Sequence, residues 1–217
     1  MLHRKLSEKQ LTLLVAFSAG VLLSTSLNHM IIESFSATGR LAMLFVSIGF
    51  LVLYGYEKIA MVHACREHDC EVHHFGFASL IGIGFHSFLD GFAIAVSFEF
   101  QATLGVLVIG AVVLHRLPTG ISIACILLSH GYDEARAWRA LSLIAALAIL
   151  GTIGGLLIPA NQSQLLSLAV GLSGGTFLYI STSDLLPMAH KNKQDYRVPL
   201  YFLTGFLCVL AASLGGG

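Results

Sequence analysis

Seven apolar runs organise this sequence, at about residues 11 to 33, 41 to 60, 75 to 98, 102 to 128, 140 to 158, 164 to 186 and 198 to 214. Each reaches the length of about 17–25 residues at which an α-helix spans a hydrocarbon core. Inside a bilayer the peptide N–H and C=O groups have no water to bond, and a helix satisfies them within itself. The pattern therefore predicts an all-α, polytopic transmembrane helix bundle of about seven spans. With 56% hydrophobic and 11% charged residues, a soluble domain would lack a polar skin. No linker divides the chain, so residues 1–217 read as a single transmembrane domain. The formal net charge of zero offers nothing to nucleic acid.

Lysine and arginine accumulate in cytoplasmic loops. With the N-terminus inside, the inside segments hold Arg4, Lys5, Lys9, Lys58, Arg66, Arg136, Arg139, Lys191, Lys193 and Arg197, and the outside segments hold Arg40 alone. Arg116 lies within a span. The C-terminus is thus expected outside. The first apolar run continues to full spanning length, so no cleavable signal peptide is expected. The protein reads as an integral protein of the cell or inner membrane, with an organelle membrane as the alternative.

Cys65 and Cys70 fall in an inside loop, and Cys125 and Cys208 fall within spans, so no disulfide framework is expected. The loop over 61–74 is rich in soft ligands: His63, Cys65, His68, Cys70, His73 and His74. Their spacing matches no zinc-finger pattern. Imidazole and thiolate together suit transient metal capture, the alternative being a solvated polar loop.

The third and fourth runs carry ionisable groups at bilayer depth, where function is their default explanation. Positions four apart share a helix face, so His86 and Asp90 point the same way, as do His115 and Thr119. The short connection near Glu99 to Gln101 predicts an antiparallel hairpin with both histidines at one depth. Two imidazoles and a carboxylate suit a divalent transition metal. Pro118 cannot donate to the Leu114 carbonyl, and a helix break there is expected to border a polar cavity.

At these residues the chain resembles the ZIP family of divalent metal transporters. His86-Ser-Phe-Leu-Asp90-Gly91 is similar to that family's His-Asn-x-x-Asp/Glu-Gly signature, and His115-Arg-Leu-Pro-Thr-Gly120 to its His-Glu-x-Pro-x-Glu/Gly signature. Phe17-Ser18-Ala19-Gly20 with Asn28, His29 and Glu33, Gly49-Phe50-Leu51 with Glu57-Lys58, and Phe177-Leu178-Tyr179 with Asp184-Leu-Leu-Pro187 occur in the family's order. The resemblance implies a metal site of His86, Asp90 and His115, with zinc or a similar divalent cation as substrate and no required cofactor. It also implies elevator-like alternating access against a scaffold that forms a homodimer, and, since the family's usual first span has no counterpart here, either an incomplete start or a seven-span variant lacking that span. Ser87 stands where the family has an asparagine, and Arg116 and Thr119 stand where carboxylates are common. These three surround the site without ligating, and a second adjacent metal is not expected. Arg116 either compensates Asp90 or repels the ion.

His29 and Glu33 are candidates for an entrance, and Glu57, Asp184 and His190 for an exit. Alternatively His29 and Glu33 form an interfacial cluster, while Glu57 and Asp184 meet Lys58 or Lys191 at the surface. A non-transporting metal receptor or sensor would share the site and lack flux. Bis-histidine haem binding by His86 and His115 would announce itself in an absorption spectrum. Gly171-Leu-Ser173-Gly174 resembles the nucleophile motif of rhomboid intramembrane proteases, but the only later histidine, His190, lies in an inside loop, so Ser173 lacks a base. The charge bias makes one direct prediction. In a background without native cysteines, Gly216→Cys is labelled by an impermeant maleimide in intact cells; protection until permeabilisation would invert the topology.

Overall fold

A computed structural model describes residues 7–64, 74–100, 102–129, 132–157, 163–190 and 195–215, and no strand occurs among them. The helices are α1 (Glu8–Thr25), α2 (Ile31–Thr38), α3 (Arg40–Ala64), α4 (His74–Phe100), α5 (Ala102–Ser129), α6 (Glu134–Leu157), α7 (Ser163–Tyr179), α8 (Leu186–His190) and α9 (Arg197–Gly215). A π-helical turn, Ser26–Met30, joins α1 to α2, and another, Ile180–Leu185, joins α7 to α8. Each of the apolar runs thus lies on one continuous helical rod. Among the described residues, five segments are long and apolar enough to cross a membrane: Lys9–Thr38, Arg40–Ile59, Leu80–Phe98, Glu134–Leu157 and Gln164–His190.

Helix ends follow local chemistry more closely than they follow the apolar runs. Ser7 and Gln10 form a reciprocal capping box that starts α1. The Asp133 carboxylate accepts from the Arg136 N–H at 2.7 Å, so α6 begins ahead of its apolar run and carries Arg136 and Arg139 at its exposed end. Gly39, at φ +60°, makes the turn between α2 and α3 in a region that side chains with a Cβ rarely enter. At the start of α9 the Asp195 carboxylate accepts from the Arg197 N–H at 3.0 Å and meets Lys9 Nζ at 3.2 Å. The backbone bond first, and Lys9 second, hold this carboxyl below its ordinary range. The expected break at Pro118 is not found: α5 continues helically through it. Proline is tolerated in membrane helices when neighbouring groups re-satisfy the freed carbonyl.

Packing concentrates in three helix pairs, α1 with α9, α3 with α7, and α4 with α6, and each pair is closed by reciprocal glycines. A Cβ at Gly20 would collide with the Phe202 carbonyl and one at Gly205 with that of Phe17. Gly49 lies equally close to the Leu172 carbonyl and Gly175 to that of Val46, as do Gly91 to the Ala148 carbonyl and Gly151 to that of Phe88. Small residues of this kind let membrane helices meet backbone to backbone, where Cα–H···O contacts replace the hydrophobic drive that lipid does not supply. Gly110 and Gly154 are not used this way: among the described residues a Cβ at Gly110 would meet nothing within 4 Å, and Gly154 makes ordinary contact with the Phe88 ring.

α4 is central and α6 peripheral. The apolar window of the former is 67% buried and that of the latter 17%, leaving Trp138, Leu143, Ile149 and Leu157 on an outer face suited to lipid. The glycine contacts yield a paired prediction. Gly151→Leu forces α4 and α6 apart and destabilises the bundle by about 1–3 kcal/mol or more. Gly110→Leu, in open space, stays within about 0.5 kcal/mol of the parent. Thermal unfolding in detergent compares the two, and equal midpoints would refute the packing account.

Candidate metal centre

His86 and Asp90 lie one turn apart on the buried face of α4, at 6% and 7% exposure. His86 Nε2 stands 3.4 Å from Asp90 Oδ1, and the imidazole packs on Phe177 of α7 with ring centroids 4.5 Å apart. The other carboxylate oxygen, Oδ2, receives Arg116 Nη1 at 3.3 Å, while Arg116 Nη2 reaches the Ile144 carbonyl of α6 at 3.4 Å. Ser87 also turns to α6 and donates to that carbonyl at 2.9 Å. Three helices therefore converge: α4 brings the imidazole and carboxylate, α5 the guanidinium, and α6 a backbone oxygen. A cavity of about 110 Å³ adjoins them, lined in part by Ile83, Gly120, Ile123 and Leu141.

Two ligands on a tetrahedral ion with bonds of about 2.0–2.1 Å sit about 3.3–3.4 Å apart, the separation of tetrahedral vertices. His86 Nε2 and Asp90 Oδ1 already stand at 3.4 Å. His115 lies on α5 beside Arg116; its side chain and that of Thr119 fall outside the described residues. Among the described residues, no three His, Cys, Asp or Glu side chains converge. Of the 61–74 segment, Cys65, His68, Cys70 and His73 lie outside the described residues, and His63 and His74 are described only as helical positions.

The entrance and exit candidates occupy contrasting surroundings. His29 Nδ1 and Glu33 Oε2 are 3.8 Å apart, and both side chains are well exposed. Glu57 does not meet Lys58 at a surface. It is 3% exposed and accepts from the Tyr179 hydroxyl, while Lys58 Nζ lies over the Tyr54 ring at 5.7 Å. Asp184, on the second π-helical turn, is 2% exposed. His190 is exposed, its Nδ1 2.8 Å from the Leu186 carbonyl. Ser173 is fully buried, and among the described residues its hydroxyl has no hydrogen-bond partner, so no base activates it.

Three contributors escaped the sequence reading: the Ile144 carbonyl, Phe177 and Tyr179. The Phe-Leu-Tyr run was noted only as part of a resemblance. A backbone oxygen on a neighbouring helix leaves no mark in a sequence.

Such a bundle of long apolar helices, with a histidine and a carboxylate buried side by side within it, is that of an integral membrane protein. The model of the ZIP zinc transporter family matches residues 61–215, most of the chain, which places the protein in the ZIP family. It is similar to the zinc transporter YKE4 of Saccharomyces cerevisiae, at 26% identity over 87% of this chain and 64% of the yeast protein. Zinc transporter ZIP13 of Pongo abelii is 26% identical over 91% of this chain and 64% of its own length. Zinc transporter ZIP10 of Danio rerio is 30% identical over 59% of the chain and 16% of its length. The chain thus spans less than two thirds of these relatives.

The centre predicts a binding result. With the 61–74 loop histidines and cysteines neutralised, His86→Ala and Asp90→Ala each weaken zinc binding at least about tenfold, or about 1.4 kcal/mol, by calorimetry. Unchanged affinity in both variants would reject the site.

Proposed function

We propose that this protein carries a divalent transition metal, zinc foremost, across its membrane through a site made by α4 and α5. The observation that carries the reading is the buried pair His86 and Asp90, whose donor atoms stand 3.4 Å apart. An imidazole and a carboxylate match zinc, while iron, manganese, cobalt and cadmium remain within reach of the same donors. His86, Asp90 and His115 are the proposed ligands, with Ser87, Arg116 and Thr119 around them.

Elevator-like alternating access is the proposed mode. In support, α4 packs most extensively on α6 and then on α5, with lesser contact to α7 and α3, while α5 also packs on α1. His29 and Glu33 then serve as the outer approach, and Glu57, Asp184 and His190 as the inner one. The ligand-rich loop over 61–74 supplies capture on the cytoplasmic side. A homodimer, a cytoplasmic N-terminus and residence in the cell membrane belong to this same reading.

A metal held between helices reaches both faces only if its polar path alternates or stays open. Vesicles containing the protein are therefore expected to accumulate zinc down its gradient, saturably and without ATP. His115→Ala lowers the rate at least about tenfold, or about 1.4 kcal/mol in barrier. Acid slows uptake, because a protonated imidazole has no lone pair for metal. Folded protein that binds zinc tightly and shows no flux above empty vesicles would make it the non-transporting receptor.

A further inference from the structure

Asp90 is already occupied. Its Oδ2 holds the Arg116 guanidinium at 3.3 Å, on the carboxylate that the proposed transport site needs for its ion. A guanidinium stays protonated in proteins, so this competitor cannot be removed by pH. It can be removed by movement. The second guanidinium nitrogen has an acceptor away from Asp90, the Ile144 carbonyl at 3.4 Å. Ser87, which donates to that carbonyl, retains lone pairs to receive another N–H. The cavity of about 110 Å³ lies beside both. Gly120, one turn along α5 from Arg116, keeps that side open, since among the described residues a Cβ there would meet nothing within 4 Å.

We propose that Arg116 is a tethered counter-cation of the transport site, bonded to Asp90 when no metal is present and withdrawing onto the Ile144 carbonyl and into the Gly120 cavity when metal arrives. The inference rests on the transport reading and extends it to the return of the empty carrier. An unpaired carboxylate at bilayer depth is costly to move through a low-dielectric interior. Paired with Arg116, the empty carboxylate is neutral and can reorient without a co-transported cation. The same pairing lowers metal affinity, because every metal ion must first displace the guanidinium, and it thereby favours release. Arg116 is a positioning residue: it acts through Asp90 and touches no metal.

Two measurements on the full-length chain test this. Calorimetry with zinc gives Kd. Proteoliposomes give the ratio of net uptake into zinc-free vesicles to exchange of radiolabelled zinc across zinc-loaded ones, and only net uptake requires the empty carrier to return. R116Q is expected to bind zinc at least about tenfold more tightly, and its net-to-exchange ratio to fall at least about tenfold. R116K, which keeps a tethered cation, holds the ratio within about threefold of the parent. G120L fills the space into which the guanidinium withdraws, and is expected to weaken zinc binding about tenfold with Asp90 and Arg116 untouched. Parental Kd in both R116Q and G120L overturns the proposal, as does a parental ratio in R116Q or a collapsed ratio in R116K. If the parent protein binds zinc but carries flux in neither mode, the transport reading fails, and the Kd values of R116Q and G120L alone decide whether Arg116 competes for Asp90.

Discussion

Backbone-to-backbone contact at glycines is the constraint on which the rest of this molecule hangs. In lipid, apolar side chains gain little by meeting each other, so helices associate where they can approach closely. The Gly91–Ala148 and Gly151–Phe88 contacts press α4 onto α6 beside the site. That approach brings the Ile144 carbonyl within reach of Ser87 and Arg116. A glycine next to Asp90 in the chain thus governs the polar surroundings of Asp90 in space.

The charge at the centre is managed by the same closeness. A buried ion pair is weak support for stability, yet breaking one by deleting a partner costs about 3–5 kcal/mol, because a charge is left uncompensated. Asp90 faces a histidine through one oxygen and an arginine through the other. Its arginine is itself held by a carbonyl, so each strongly polar group has a geometric reason for its position. Of the two readings of Arg116, compensation of Asp90 has this 3.3 Å contact in its support.

A second polar region lies where the helical ladder is interrupted. In each π-helical turn the following N–H reaches back five residues, from Ile31 to Ser26 and from Leu186 to Ser181. Such turns shift side chains around the helix relative to a regular ladder. Ser26 donates to the Gly174 carbonyl at 2.8 Å, joining the first π-helical turn to α7. Asp184 rides on the second and is 2% exposed. The second interruption lies just before Pro187, which has no N–H to donate to the Ser183 carbonyl inside that turn. Pro118 instead sits within continuous helix.

Much was legible in the sequence because it is local. The helical rods follow from apolar run length and the backbone's need for internal hydrogen bonds. The shared face of His86 and Asp90 follows from helical periodicity, and the family signatures repeat that spacing. The sequence alone therefore determined an all-helical membrane chain with an imidazole and a carboxylate on one face of an apolar helix. Tertiary structure decided which groups from other helices reach that pair. It gave Asp90 to Arg116, turned Ser87 to α6, set Phe177 against His86 and buried Glu57 against Tyr179 instead of leaving it to Lys58. The physical reason is that a helix fixes relations within a turn or two, whereas contacts between helices depend on rotation, tilt and distance of approach, which glycine-sized gaps in distant segments set together.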